Sequence, residues 1–131
     1  MYTLTRQHFS NTLDTYCDAW RNKNSELILT IFDREAIYHE RVLDEPVLGH
    51  DGIRKYWLNK VVTGQRNISI TVNRLYIDGN VGIAEWHVNF EDLEKKKLKA
   101  MKEIVVMEFL ESGKIGILRE YWASKVLGNL D

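Results

Sequence analysis

A chain of 131 residues, 44% hydrophobic and 28% charged, has room for one ordinary globular domain, 1–131, and no second. Its net charge of −1 gives no electrostatic attraction to nucleic acid or to an anionic membrane surface. Cys17 is the one cysteine and cannot close an internal disulfide; no stretch approaches the roughly 20 apolar residues of a membrane span. The opening Met1-Tyr2-Thr3-Leu4-Thr5-Arg6 lacks a signal-peptide core, so the expected location is the cytoplasm.

A first helix is predicted from about Thr5 to Trp20, because Phe9, Leu13, Tyr16, Cys17 and Trp20 recur at helical steps and share a face. The polar break Asn22–Ser25 precedes a short second helix from near Glu26, with Leu27, Ile28, Ile31 and Phe32 inward. A short strand follows at Ile37–Glu40. Asp51 is a candidate N-cap for a third helix, with Ile53, Tyr56, Trp57 and Val61 inward and Gly64 at its end. Beyond Gly64 the period changes to two. Ile68, Ile70 and Val72 alternate with polar residues, and Asp78-Gly79 signals a hairpin turn. Val81–Phe90 is the next strand, with Ala84, Trp86, Val88 and Phe90 on one face. After the charged connector Glu91–Lys99 come strands Leu98–Leu110 and Ile115–Trp122, turned at Ser112-Gly113.

Helices first and strands second give an α+β class. The expected architecture is a cone: a bent antiparallel sheet packed against three N-terminal helices, with an aromatic pocket at its wide end. Alternation on the last strand puts Leu118, Glu120 and Trp122 on one face, so Glu120 is expected inside unless a β-bulge slips the parity. Tyr38 and Glu40 likewise share a face. Glu40 reads either as a general base, its acidity weakened in an apolar cavity, or as a carboxylate paired with Arg41 or Arg54. Tyr16 reads as pocket or as core with its hydroxyl at the rim.

The chain resembles the nuclear transport factor 2-like superfamily (a cystatin-like cone), in its SnoaL-like and ketosteroid-isomerase-like branch. The resemblance rests on the order of elements and on three groups of segments. These are Tyr16-Cys17-Asp18-Ala19-Trp20 with Ile31–Ala36, Glu45–Gly49 running into Gly52–Trp57, and Gly113-Lys114-Ile115 leading to Leu118-Arg119-Glu120-Tyr121-Trp122. The Tyr38-His39-Glu40 strand and the last of these segments are also similar to a bacterial group of the same superfamily.

Beside the isomerases, Tyr16 falls on their oxyanion-donating tyrosine and Glu40 on their proton-shuttling aspartate. Trp57 falls on an aromatic residue that supports the tyrosine. The chain departs near Val105, where they carry a protonated aspartic acid and valine cannot donate. The superfamily includes isomerases, dehydratases, cyclases and binding modules, so fold alone does not select among them.

The candidate catalytic residues are therefore Glu40 to take a proton, Tyr16 to polarise a carbonyl and Glu120 to assist. Trp20, Tyr38, Trp57, Trp86, Val105, Met107, Phe109 and Trp122 are the candidate pocket residues. The expected ligand is a small apolar organic molecule, with no cofactor. His8, His39, His50 and His87 lack paired ligand spacing, so no metal is expected. Arg119, with Glu85, His87 and Glu108, reads as an anion contact or as an ion-pair lattice on a homodimer face; the superfamily's habit favours the dimer. Cys17 reads as a buried inert thiol, and Glu94–Lys97 as a solvated hairpin tip. The alternative to an enzyme is a ligand-binding or dimeric assembly module.

Overall fold

The computed structural model describes residues 2–131. Helix α1 spans Arg6–Arg21 and is capped by Thr5, whose side chain accepts from the His8 backbone N–H. Its inner face is Phe9, Leu13, Tyr16, Cys17 and Trp20, as the spacing predicts, with Thr12 and Ala19 also buried. Helix α2 spans Gly49–Trp57. It begins two residues before Asp51, which lies in the first turn and not at the cap.

The α-helices number two among the described residues, where three were expected. The segment after Asn22 closes only a four-residue 3-10 turn, Ile28–Ile31. The Asn24 side chain accepts from the N–H groups of Glu26 and Leu27, but strand pairing claims the chain from Phe32 onward. Leu27 is only partly buried.

The six strands are β1 Phe32–His39, β2 Val47–Leu48, β3 Gln65–Asp78, β4 Val81–Asp92, β5 Lys97–Phe109 and β6 Ile115–Asn129. They form one sheet in the order β2-β1-β6-β5-β4-β3. The meander β3–β6 is antiparallel as expected. β1, however, joins β6 in parallel, placing Tyr38 opposite Leu118. Register shifts in β3, β5 and β6 bend the long strands around the helices. The hairpin at Asp78-Gly79 forms as the sequence predicts, with Gly79 at φ +61°.

The core fills the space between the concave face and α1. At its closed end Gly82 faces Phe9: a methyl group added there would lie 2.6 Å from the Phe9 ring. Phe9 is fully buried and has nowhere to retreat. Gly82→Ala should therefore cost about 1–3 kcal/mol of stability in urea denaturation; an unchanged midpoint would contradict this packing. No helix among the described residues is long and apolar enough to cross a membrane.

Candidate functional site

Strand register stacks the concave side chains in rows. Gly82, Met107, Leu118 and Tyr38 form one row; Ala84, Val105 and Glu120 the next; Trp86, Glu103 and Trp122 the third. The rows nearest the closed end are apolar and tightly filled. The second and third carry two carboxyl groups into that interior. Glu103 is only 2% exposed and Glu120 only 7%.

No cation pairs with either carboxyl group among the described residues, so hydrogen bonds alone compensate their burial. Tyr38 donates its hydroxyl to Glu120 Oε1 at 2.6 Å, and Tyr16 donates to the same oxygen at 3.2 Å. The two phenol oxygens lie 3.0 Å apart. The indole N–H of Trp86 donates to Glu103 at 2.8 Å, a bond that follows from their direct cross-strand pairing.

Burial pushes the Glu120 carboxyl up to about 8, although the two phenols pull it back; the nearby charge of Glu40 adds to the rise. Burial, and then repulsion from Glu120, hold Glu103 well above the usual carboxylate range. The bond between the two carboxyls raises Glu103 and lowers Glu120, the pattern of a neutral acid donating to its neighbour. Burial likewise raises the Tyr16 and Tyr38 hydroxyls, so both remain donors.

Above this floor is a cavity of about 130 Å³. Its walls include Trp20, Tyr56, Trp57, Phe90, Met101 and Trp122, and Glu40 stands on its rim. Glu40 is partly exposed and pairs with Arg41 at 3.2 Å. Tyr56 donates to Glu40. The Arg41 guanidinium also lies 5.0 Å from the Trp122 ring centroid, and the Trp122 N–H donates to the Glu40 backbone carbonyl. A wider groove continues outward along Glu40–Asp44, Tyr121 and Trp122. Among the described residues no group of three or more His, Cys, Asp or Glu side chains could hold a metal ion.

The sequence profile of the SnoaL-like domain matches residues 13–116, most of the chain. The chain belongs to the SnoaL-like family. Among solved structures, 365 chains match. One is a hypothetical protein with a ketosteroid isomerase-like fold from Catenulispora acidiphila, in complex with trimethylamine. It is 14% identical, with a TM-score of 0.73 over 84% of this chain and 83% of that one. That likeness shows the shared cone-shaped α+β fold. No curated protein matches.

In this SnoaL-like chain Tyr16, Tyr38, Glu40, Glu120, Trp20, Trp57 and Trp122 all line the one cavity. Trp86, Val105, Met107 and Phe109 do not. They are fully buried in the core: Trp86 lies against the Tyr16 and Trp20 rings of α1, and Phe109 against the Phe9 ring. Arg54 pairs with Glu26 and Asp51, which leaves Arg41 as the arginine beside Glu40. Arg119 bonds Glu108 at 2.6 Å on the outer face. Cys17 is buried, and burial raises its thiol to about 11, the state of an unreactive cysteine.

Glu103 is the site residue that sequence reasoning missed. It lies two residues before Val105 and shares its face, so the alternation that placed Val105, Met107 and Phe109 inside also places Glu103 there. Glu103 thus stands one same-face step from Val105 on β5, with its carboxyl held well above the usual range by burial.

Proposed function

We propose that this protein binds a small organic molecule in the aromatic cavity and moves a proton on it without a cofactor. In this reading Glu40 removes a proton from a carbon beside a carbonyl group. The Glu103–Glu120 pair, held by Tyr16 and Tyr38, is the acid that faces the developing negative charge. Proton transfer of this kind needs a base near the acidic carbon and a donor-rich environment for the enolate.

One observation carries the reading. Glu120 is buried on the cavity floor with an acidity near 8, while a second carboxylate, Glu40, stands at the rim in contact with an arginine. Two carboxyl groups in environments this different are suited to acid and base roles at neutral pH. Tyr16, expected to polarise a carbonyl itself, directs its proton to Glu120 and so acts through it. The cavity of about 130 Å³ is close to the roughly 150 Å³ that accommodates a benzene-sized guest. The small amine held by the Catenulispora neighbour supports a ligand of that scale.

The test is hydrogen–deuterium exchange at the α-carbons of cyclohexanone, followed by NMR in heavy water. The wild-type protein should accelerate exchange. Glu40→Gln should lower the acceleration by about 10²–10⁴-fold, while cyclohexanone affinity stays within a few-fold. Binding without any acceleration would defeat the enzymatic reading and leave a ligand-binding module.

That binding-only alternative draws support from the Arg41–Glu40 ion pair, which engages the base. In either case we propose one cytoplasmic domain that forms homodimers through the convex sheet face. Ile104 and Tyr121 sit opposite each other there, 44% and 46% exposed, on the same surface as the Arg119–Glu108 pair.

A further inference from the structure

We propose that the molecule taken into the cavity is a small carboxylic acid, an aromatic or carbonyl-bearing body with one carboxylate, and that the Arg41 guanidinium holds this carboxylate at the mouth. The inference rests on the reading of the cavity as a small-molecule site and names the class of molecule.

Two contacts place the charged head of Arg41. Its guanidinium lies 5.0 Å from the centroid of the Trp122 ring, and its Nε lies 3.2 Å from Glu40 Oε2. Trp122 and Glu40 both line the cavity, so the head stands at the opening and not out along the loop. The bond from the Trp122 N–H to the Glu40 carbonyl steadies that ring as a platform. The contact with Glu40 is an ion pair only; among the described residues the Arg41 side chain makes no hydrogen bond. A guanidinium carries its N–H groups in a planar fork that fits a carboxylate through two parallel bonds. Here the fork is stacked on a ring and its side chain is 56% exposed, so those bonds are open to a ligand. Arg41 also lines the outward groove and a second hollow of about 160 Å³ beside Lys60, Lys95 and Lys99. It stands where the three spaces meet.

The charge of the lining asks for an anion. Burial keeps protons on Glu103 and Glu120 near neutral pH, which leaves Glu40 as the one ionised carboxylate of the lining. Against it stand Arg41, Lys60 and Lys99. Lys99 is offset by Asp92 at 2.7 Å. Lys60 has neither ion pair nor hydrogen bond among the described residues. One positive charge is therefore left over at the opening, and an incoming carboxylate cancels it. The same carboxylate competes with Glu40 for Arg41. The ion pair that engages the base is then exchanged for one with the ligand, and Glu40 is released to take a proton. A neutral ligand leaves that ion pair in place.

Benzoate and benzamide are near-isosteric and separate charge from shape. Each is titrated at low salt, followed by ¹H–¹⁵N NMR, into the wild-type protein, Arg41→Met and Lys60→Met. Benzoate should bind the wild type about 10-fold more tightly than benzamide, a low value for a charge-assisted pair because Arg41 is exposed. Arg41→Met should abolish that preference and leave benzamide affinity within about three-fold, which also reports that the variant is folded. Lys60→Met should weaken benzoate by only about two-fold, the effect of a solvated charge. Equal losses in the two variants would overturn Arg41 as the anchor. Equal binding of the two probes to the wild type would overturn the carboxylate assignment and spare the cavity reading. Failure of both probes to perturb any cavity residue would overturn the cavity reading, and this inference with it.

Discussion

Wild-type stability is expected to fall as pH rises from about 5 to 9, and Glu120→Gln should remove the part of that fall that Glu120 carries. The folded state holds the Glu120 proton to about pH 8, whereas an unperturbed glutamate releases it near 4.5. The folded state therefore binds more protons than the unfolded state across that interval. Its added stability is fully present below about 4.5 and is lost as pH rises through 8. At about 1.4 kcal/mol per pH unit, the gap between 4.5 and about 8 bounds the loss at roughly 5 kcal/mol. Glu103, also raised by burial, contributes with the same sign.

The amide of the variant does not titrate, and its oxygen can still accept from Tyr16 and Tyr38. Urea denaturation at several pH values should show Glu120→Gln more stable than wild type at pH 9 and close to it at pH 5. Parallel curves would mean that Glu120 is ionised and compensated throughout.

The second large effect concerns Tyr38. Its 2.6 Å bond is the shorter of the two phenol contacts to Glu120, and a short O–H···O bond to a carboxylate is among the stronger hydrogen bonds in proteins. It favours the ionised form and so opposes burial. Tyr38→Phe should raise the Glu120 pKa by about one to two further units, from a charged hydrogen bond worth about 1.5–3 kcal/mol. The carboxyl carbon of Glu120, followed by ¹³C NMR, would report the displaced titration. Tyr16→Phe, which removes the longer bond, should move it less. Equal displacement by both variants would show that the 2.6 Å contact holds no special place.

Much of this arrangement was legible in the residues. Helical spacing placed Tyr16 and Trp20 on the inner face of α1, and two-residue alternation carried Glu120 inward on β6. The rest depended on information that local pattern does not hold. Ile28–Ile31 reads as helix by its apolar spacing, but pairing of Phe32 with distant Ile115 ends it after four residues. The two-residue strand β2 owes its existence to Ile37 and Tyr38 across from it. Glu103 sits among Lys97, Lys99 and Lys102, where composition suggests solvent, although strand parity puts it inside. The aromatic residues were recognised as inward, but their division between cavity wall and filled core depends on which of them α1 covers. Trp86 lies against the Tyr16 and Trp20 rings of α1, whereas Trp122, in the same row, lines the cavity.

The turn at Leu58–Val62 closes through a bond from the Thr63 N–H to the Leu58 carbonyl, one residue wider than an α-helical turn. Each residue of α-helix rotates the chain by about 100°, so loss of a single residue here would swing Lys60 and Val61 off the wall they share with Trp57. Side-chain identity can drift along this stretch more freely than its length can. The hollow is shaped by a count of backbone units as much as by the rings that line it.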